Sequence, residues 1–185
     1  QYAEYCKAFK SMSNVTCTQG TCATLIGMPG AGKSSVGRQL AKALTLTFHD
    51  TDDDLERHEK ATLQTIMDTK GLDYFRALEE SLLLKVDFQG EVIATGGSVI
   101  YSQPLMAKFK TLGPIVFLDV PLVTLQDRVA RDAPRGMAKN QDTSYEELYQ
   151  QRYPLYQQWA DITIDCSDSA TPDAIANSIV RALHH

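Results

Sequence analysis

The chain has 185 residues, 43% hydrophobic and 22% charged, which suits one folded domain with a real core and excludes wholesale disorder. Its net charge is −5 and its pI about 5.3, so no basic excess exists to displace counterions from nucleic acid or to hold an anionic membrane. No run approaches the roughly 18 apolar residues of a membrane span, and no signal-peptide core precedes the first glycine-rich turn. The four cysteines, Cys6, Cys17, Cys22 and Cys166, form no CxxC pair and are expected to be free thiols.

In chain order, residues 1–20 show a weak helical pattern (Tyr2, Tyr5, Cys6, Phe9) and read as a leader of unassigned role; residues 21–185 read as a single domain. A strand over Cys22–Ile26 feeds a glycine-rich turn, and a helix follows over Lys33–Leu44. A strand over Thr45–His49 ends at Asp50-Thr51-Asp52. Helices are then expected over 53–60, 63–70 and 73–87. A strand over Glu91–Thr95 runs into Gly96-Gly97, and a helix near 103–110 leads to the strand Ile115–Val120. Pro121 opens the next helix. Residues 131–143 read as a polar loop, followed by a helix over 144–160, a strand over 161–165 and a closing helix over 172–183. Strands alternating with helices imply an α/β fold: a mostly five-stranded parallel sheet between two helical layers, with ligands at the carboxyl ends of the strands.

The strongest motif is Gly27-Met28-Pro29-Gly30-Ala31-Gly32-Lys33-Ser34, a full GxxxxGK(S/T) match between a strand and a helix. Such a loop cradles phosphates on its backbone N–H groups, here from Gly27, Gly30, Ala31 and Gly32 through Ser35, with the helix N-terminus adding a favourable field. Lys33 is expected to reach the β- and γ-phosphates of ATP, and the Ser34 hydroxyl to ligate Mg²⁺. Asp50 and Asp52, alternating on an extended segment, are expected to face one cleft, where metal support and general-base work divide between them. Arg76 followed by Glu79 has the spacing of a helix-surface ion pair. Gly96-Gly97 permits close backbone approach to a ligand. Arg135, between Pro134 and Gly136, suits a mobile lid, and Pro154 within Arg152-Tyr153-Pro154-Leu155-Tyr156 implies a helix kink.

Taken in this order, GMPGAGKS, the DTD, FRxxE, the GG strand end and R-x-P-L-Y resemble the shikimate kinase family of P-loop enzymes, from about Thr24 to the C-terminus. The resemblance implies a P-loop kinase domain with a helical substrate-binding insert near 51–87 and a mobile lid near 131–143. It implies ATP and Mg²⁺ as cofactors and shikimate or another small hydroxy acid such as gluconate as acceptor; use of ATP points to a cytoplasmic setting, and a monomer is favoured with the oligomeric state left open. It further implies that Lys33, Asp52 and Arg135 are catalytic and that Ser34 and Asp50 serve the metal. Arg76, Gly96, Gly97 and Arg152 then join Asp52 in holding the acceptor, and Arg128 stacks on the adenine ring. A sensing module that binds ATP and ligand without turnover is the reading of another class. Two positions depart from the family pattern. Ser98 stands where a third glycine is usual, implying either strain at φ > 0 or a new polar contact. The lid reads Arg135-Gly136-Met137 in place of Arg-Pro-Leu.

Overall fold

Short apolar runs bounded by turns set the sheet of the computed structural model, which describes residues 21–131, 137–139, 142–166 and 170–184. The strands are β1 (Ala23–Ile26), β2 (Thr47–Asp50), β3 (Glu91–Ala94), β4 (Ile115–Asp119) and β5 (Ile162–Asp165). All neighbours are parallel, in the order β2-β3-β1-β4-β5. The inner strands are almost wholly buried, whereas the edge strands β2 and β5 are only partly so. That is the pattern of a parallel sheet covered on both faces, as expected from the alternation of elements.

The helices are α1 (Lys33–Leu44), α2 (Thr51–Glu59), α3 (Leu63–Lys70), α4 (Leu72–Leu83), α5 (Gln103–Leu112), α6 (Leu122–Arg131), α7 (Tyr145–Trp159) and α8 (Pro172–Leu183). Helix α1 buries Val36, Gly37, Leu40 and Ala41 and packs on α8, β3 and β2. Gly37 is required there: a Cβ would lie 2.5 Å from Cε2 of Phe48. The main core runs from β1 through Phe109 and Phe117 to Tyr156. A second, smaller core of Leu55, Ile66, Phe75, Leu78 and Ala138 holds α2, α3 and α4 together as a separate lobe beside the sheet end.

Most boundaries lie within a residue or two of the sequence reading, and two of the differences have a clear local reason. Thr45 is a left-handed cap (φ 56°) whose N–H closes the end of α1, so β2 begins at Thr47. Helix α4 stops at Leu83 and not near 87, because Lys108 Nζ takes the Leu83 and Leu84 carbonyls at 2.9 and 3.1 Å while Phe88 turns into the core. Helix α7 starts from a Ser144–Glu147 capping box and continues past Pro154 to Trp159. Cys22 and Cys166 are buried free thiols. Among the described residues no helix is long and apolar enough to cross a membrane. The leader, with Cys6 and Cys17, and the predicted lid arginine Arg135 lie outside the described residues.

Candidate active site

The turn between β1 and α1 lies at the carboxyl edge of the sheet. Gly30 (φ 87°) and Gly32 (φ 88°, the N-cap of α1) adopt left-handed backbone that side chains disfavour, so the loop curls around its own centre. Lys33 is buried and donates to the carbonyls of Gly27 and Met28 at 2.8 and 2.9 Å. Burial lowers its pKa to about 8, with Asp52 as the main opposing influence.

Asp50 and Asp52 do meet in one cleft, but not by strand alternation. Asp50 ends β2 and caps α2: its Oδ1 accepts from the Asp52 N–H at 3.1 Å and its Oδ2 accepts from Ser34 Oγ at 2.6 Å. Asp52 is thus in the first turn of a helix, with Oδ1 buried and without a hydrogen-bond partner. Burial first, then the negative charge of Asp50, raise the Asp52 pKa to about 6.

The acceptor side forms where β3 ends. Gly96 fits between two carboxylates: a Cβ there would lie 2.9 Å from Glu79 Oε2 and 3.1 Å from Asp52 Oδ1. Gly97 fits under an arginine, with its Cβ position 2.7 Å from Arg152 Nη1. The Gly97 carbonyl accepts from the Tyr156 hydroxyl at 2.7 Å. Arg152 is fully buried on α7 and donates through Nη2 to the Ala138 carbonyl at 2.5 Å, while its Nε and Nη1 have no partner.

Glu79 is not half of a surface ion pair. It is 3% exposed, its Oε1 accepts from Ser98 Oγ at 2.9 Å, and its Oε2 is buried without a partner. Burial raises its pKa to about 7, against the opposing pull of that hydrogen bond. Ser98 itself sits at φ −91° and ψ −7°, so no strain accompanies the missing glycine; the alternative, a new polar contact, is what its hydroxyl makes. Arg76 does not itself line the main cleft; its guanidinium lies 4.5 Å from the centre of the Tyr101 ring, which Arg152 of the cleft wall also faces.

These groups surround a cleft of about 450 Å³ whose walls include Lys33, Asp50, Asp52, Ser98, Met137 and Arg152. A second cleft of about 340 Å³ lies across the P-loop, between Gly30–Val36, Arg128 and the start of α8. Arg128 reaches it while donating to the Gly30 carbonyl at 3.1 Å. Of the residues singled out in the sequence, Gly30, Gly32, Lys33, Ser34, Ser35, Asp50, Asp52, Gly96, Gly97 and Arg152 line the main cleft, and Gly27, Ala31 and Arg76 do not. Sequence reasoning missed the burial of Glu79 and the presence of Phe75 and Ala138; only the FRxxE spacing hinted at the first.

A phosphate-binding loop opening into a cleft of small-molecule size, with unpartnered carboxylate and guanidinium atoms in its walls, defines a P-loop kinase of small metabolites. The shikimate kinase family model matches residues 29–184. The shikimate kinase of Alteromonas mediterranea is 37% identical over 162 residues, covering 86% of this chain and 94% of that protein. That of Pseudoalteromonas atlantica is 35% identical over 163 residues, covering 86% and 95%. The solved structure of the Acinetobacter baumannii shikimate kinase in complex with shikimate superposes with a TM-score of 0.81 at 29% identity, covering 95% of this chain and 96% of that one. The chain belongs to the shikimate kinase family. It is a small-molecule kinase that uses ATP.

Proposed function

We propose that the chain transfers the γ-phosphoryl group of ATP to the 3-hydroxyl of shikimate, giving ADP and shikimate 3-phosphate. The observation that carries this reading is the convergence around Gly96 and Gly97 of unpartnered buried atoms of both signs: Asp52 Oδ1, Glu79 Oε2 and Arg152 Nη1. A ligand with hydroxyls at one end and a carboxylate at the other satisfies all three, and each left unsatisfied costs about 1–3 kcal/mol.

Arg152, with Arg76 beside it, grips the acceptor carboxylate through the planar guanidinium fork. Asp52 Oδ1 and Glu79 Oε2 accept from its hydroxyls, and the Gly96-Gly97 backbone lets the ring approach closely. Asp52, with a pKa of about 6, is ionised at neutral pH and takes the proton of the attacking hydroxyl. The oxygen–phosphorus bond forms on the acceptor as the bond between the β,γ-bridging oxygen and the γ-phosphorus breaks, and ADP departs. Lys33, released from the Gly27 and Met28 carbonyls, carries positive charge toward the phosphates. Gly27, Gly30, Ala31, Gly32 and Ser35 cradle them, Arg128 flanks the adenine, and Arg135 closes over the transferring group as the lid arginine. Ser34 Oγ and the Asp50 carboxylate, 2.6 Å apart, fit Mg²⁺, a hard cation that keeps most of its waters and takes few protein oxygens. When bound, Mg²⁺ offsets phosphate charge during transfer. Such an enzyme draws on cytoplasmic ATP.

The test is an ADP-release assay with Mg·ATP against shikimate, quinate and gluconate. Turnover with shikimate far above the other two is expected. Activity on gluconate without activity on shikimate would replace the acceptor, and ATP binding without turnover on any of the three would favour the sensing module.

A further inference from the structure

Two guanidinium groups attend one aromatic ring. Arg76 Cζ lies 4.5 Å and Arg152 Cζ 5.6 Å from the centre of the Tyr101 ring. Arg76 comes from α4 and Arg152 from α7, and both helices pack on the short 3₁₀ turn Val99–Tyr101 that follows Ser98. Val99 and Ile100 are buried at 0% and 1% exposure and fix that turn in the core, so Tyr101 is held at its end with 36% of its surface open.

We propose that Tyr101 is a positioning residue for acceptor recognition: its ring holds the Arg76 and Arg152 guanidinium groups and leaves Nε of both and Nη1 of Arg152 free for the acceptor's carboxylate. The inference rests on the reading of these arginines as the carboxylate grip. Two like charges brought together at a partly buried site repel one another, and something must offset that repulsion. The Glu79 carboxylate lies within electrostatic reach of both, but its oxygens touch neither guanidinium: Oε1 is bonded to Ser98 and Oε2 has no partner. An aromatic quadrupole attracts both cations without occupying their N–H groups. The polar atoms agree with this arrangement. Arg76 Nε, Arg152 Nε and Arg152 Nη1 are buried and have no hydrogen-bond partner.

The experiment compares wild type, Tyr101→Leu and Tyr101→Phe with shikimate and with its carboxamide, which keeps every hydroxyl and loses the negative charge. Tyr101→Leu is expected to raise the shikimate KM about tenfold while kcat and the ATP KM stay within about twofold. Tyr101→Phe, which keeps the ring, brings the shikimate KM back to within about twofold of wild type. On the carboxamide, Tyr101→Leu and wild type give the same KM. An unchanged shikimate KM in Tyr101→Leu overturns the inference, as does a loss in Tyr101→Phe equal to that in Tyr101→Leu, which would assign the effect to the hydroxyl. Should Tyr101→Leu fail to fold, as read by its thermal melt, Tyr101→Met takes its place under the same criteria. A wild type that uses the carboxamide as well as the acid would instead remove the carboxylate grip itself, a failure visible before any variant is made.

Discussion

Replacing Asp52 by Asn should stabilise the protein at alkaline pH while abolishing turnover, and the stabilisation should disappear in acid. The folded state raises the pKa of Asp52 from 3.8 to about 6, through burial and the neighbouring Asp50 and against the attraction of Lys33. At 1.36 kcal/mol per unit, a shift of about two units means that ionised Asp52 opposes folding by about 3 kcal/mol. Part of the residue is open to solvent, so screening reduces this to about 1.5–3 kcal/mol. The sign is that of a raised carboxyl: its favourable contribution is complete below the unfolded value of 3.8 and lost as pH rises through about 6.

Asn keeps the shape and removes the charge. Urea melts of the ligand-free protein at pH 8 should therefore place Asp52→Asn about 1.5–3 kcal/mol above wild type. At pH 4 the two curves should nearly coincide. The ADP-release rate of the variant with shikimate should fall at least about a hundredfold at every pH. A variant less stable than wild type at pH 8, or a stability difference that does not change with pH, would refute the account of Asp52 as a strained buried charge. Near wild-type turnover would remove it as the base.

Two further changes test the neighbouring structure. Ser98→Ala removes the hydrogen bond to Glu79, so the Glu79 pKa should climb further from about 7 and the acidic limb of kcat/KM should move up by about one pH unit; a limb that stays in place would show that Ser98 does not hold Glu79. Gly37→Ala gains helix propensity of about 1 kcal/mol but places a Cβ 2.5 Å from the Phe48 ring. Overpacking should win, with a net loss of about 1–2 kcal/mol in urea melts and the KM values unchanged, whereas a more stable variant would mean that the ring moves aside freely.

The parts of the site that were legible in the sequence are those whose chemistry is local. The P-loop declares itself because eight consecutive residues, Gly27 to Ser34, must each adopt a particular backbone or carry a particular group. Asp50 and Asp52 were found for an incomplete reason. Strand alternation pointed to a shared face, whereas the cap of α2 brings them together, with the Asp50 side chain bound to the Asp52 N–H. Glu79 and Ser98 were not legible as partners, since 19 residues separate them and only the docking of α4 against the end of β3 brings them to 2.9 Å. The i, i+3 spacing of Arg76 and Glu79 pointed instead to a surface pair, because spacing alone carries no information about burial. Tyr101 gave no signal at all: an aromatic residue after a glycine turn has no fixed meaning until two helices are packed around it.

The charged groups of the site share one property that explains both its strain and its use. The ion pairs found among the described residues join other side chains, such as His49 with Asp54 and Lys110 with Asp161. Inside the cleft the buried Oδ1 of Asp52 has no partner, and the other charges are held by neutral ones: Lys33 by two backbone carbonyls, Asp50 by a hydroxyl and an amide, Glu79 by Ser98, and Arg152 by the Ala138 carbonyl and the Tyr101 ring. A direct pair of Lys33 with Asp52, or of Arg152 with Glu79, would relieve the burial that lowers the Lys33 pKa and raises those of the two acids. It would also leave nothing for a ligand to neutralise, because an acceptor carboxylate or a phosphate would then have to compete with a protein group already in contact. Neutral partners fix direction without cancelling charge. The stability given up by burying Asp52 and Glu79 unpaired is therefore the same free energy that an acceptor's hydroxyls recover on binding.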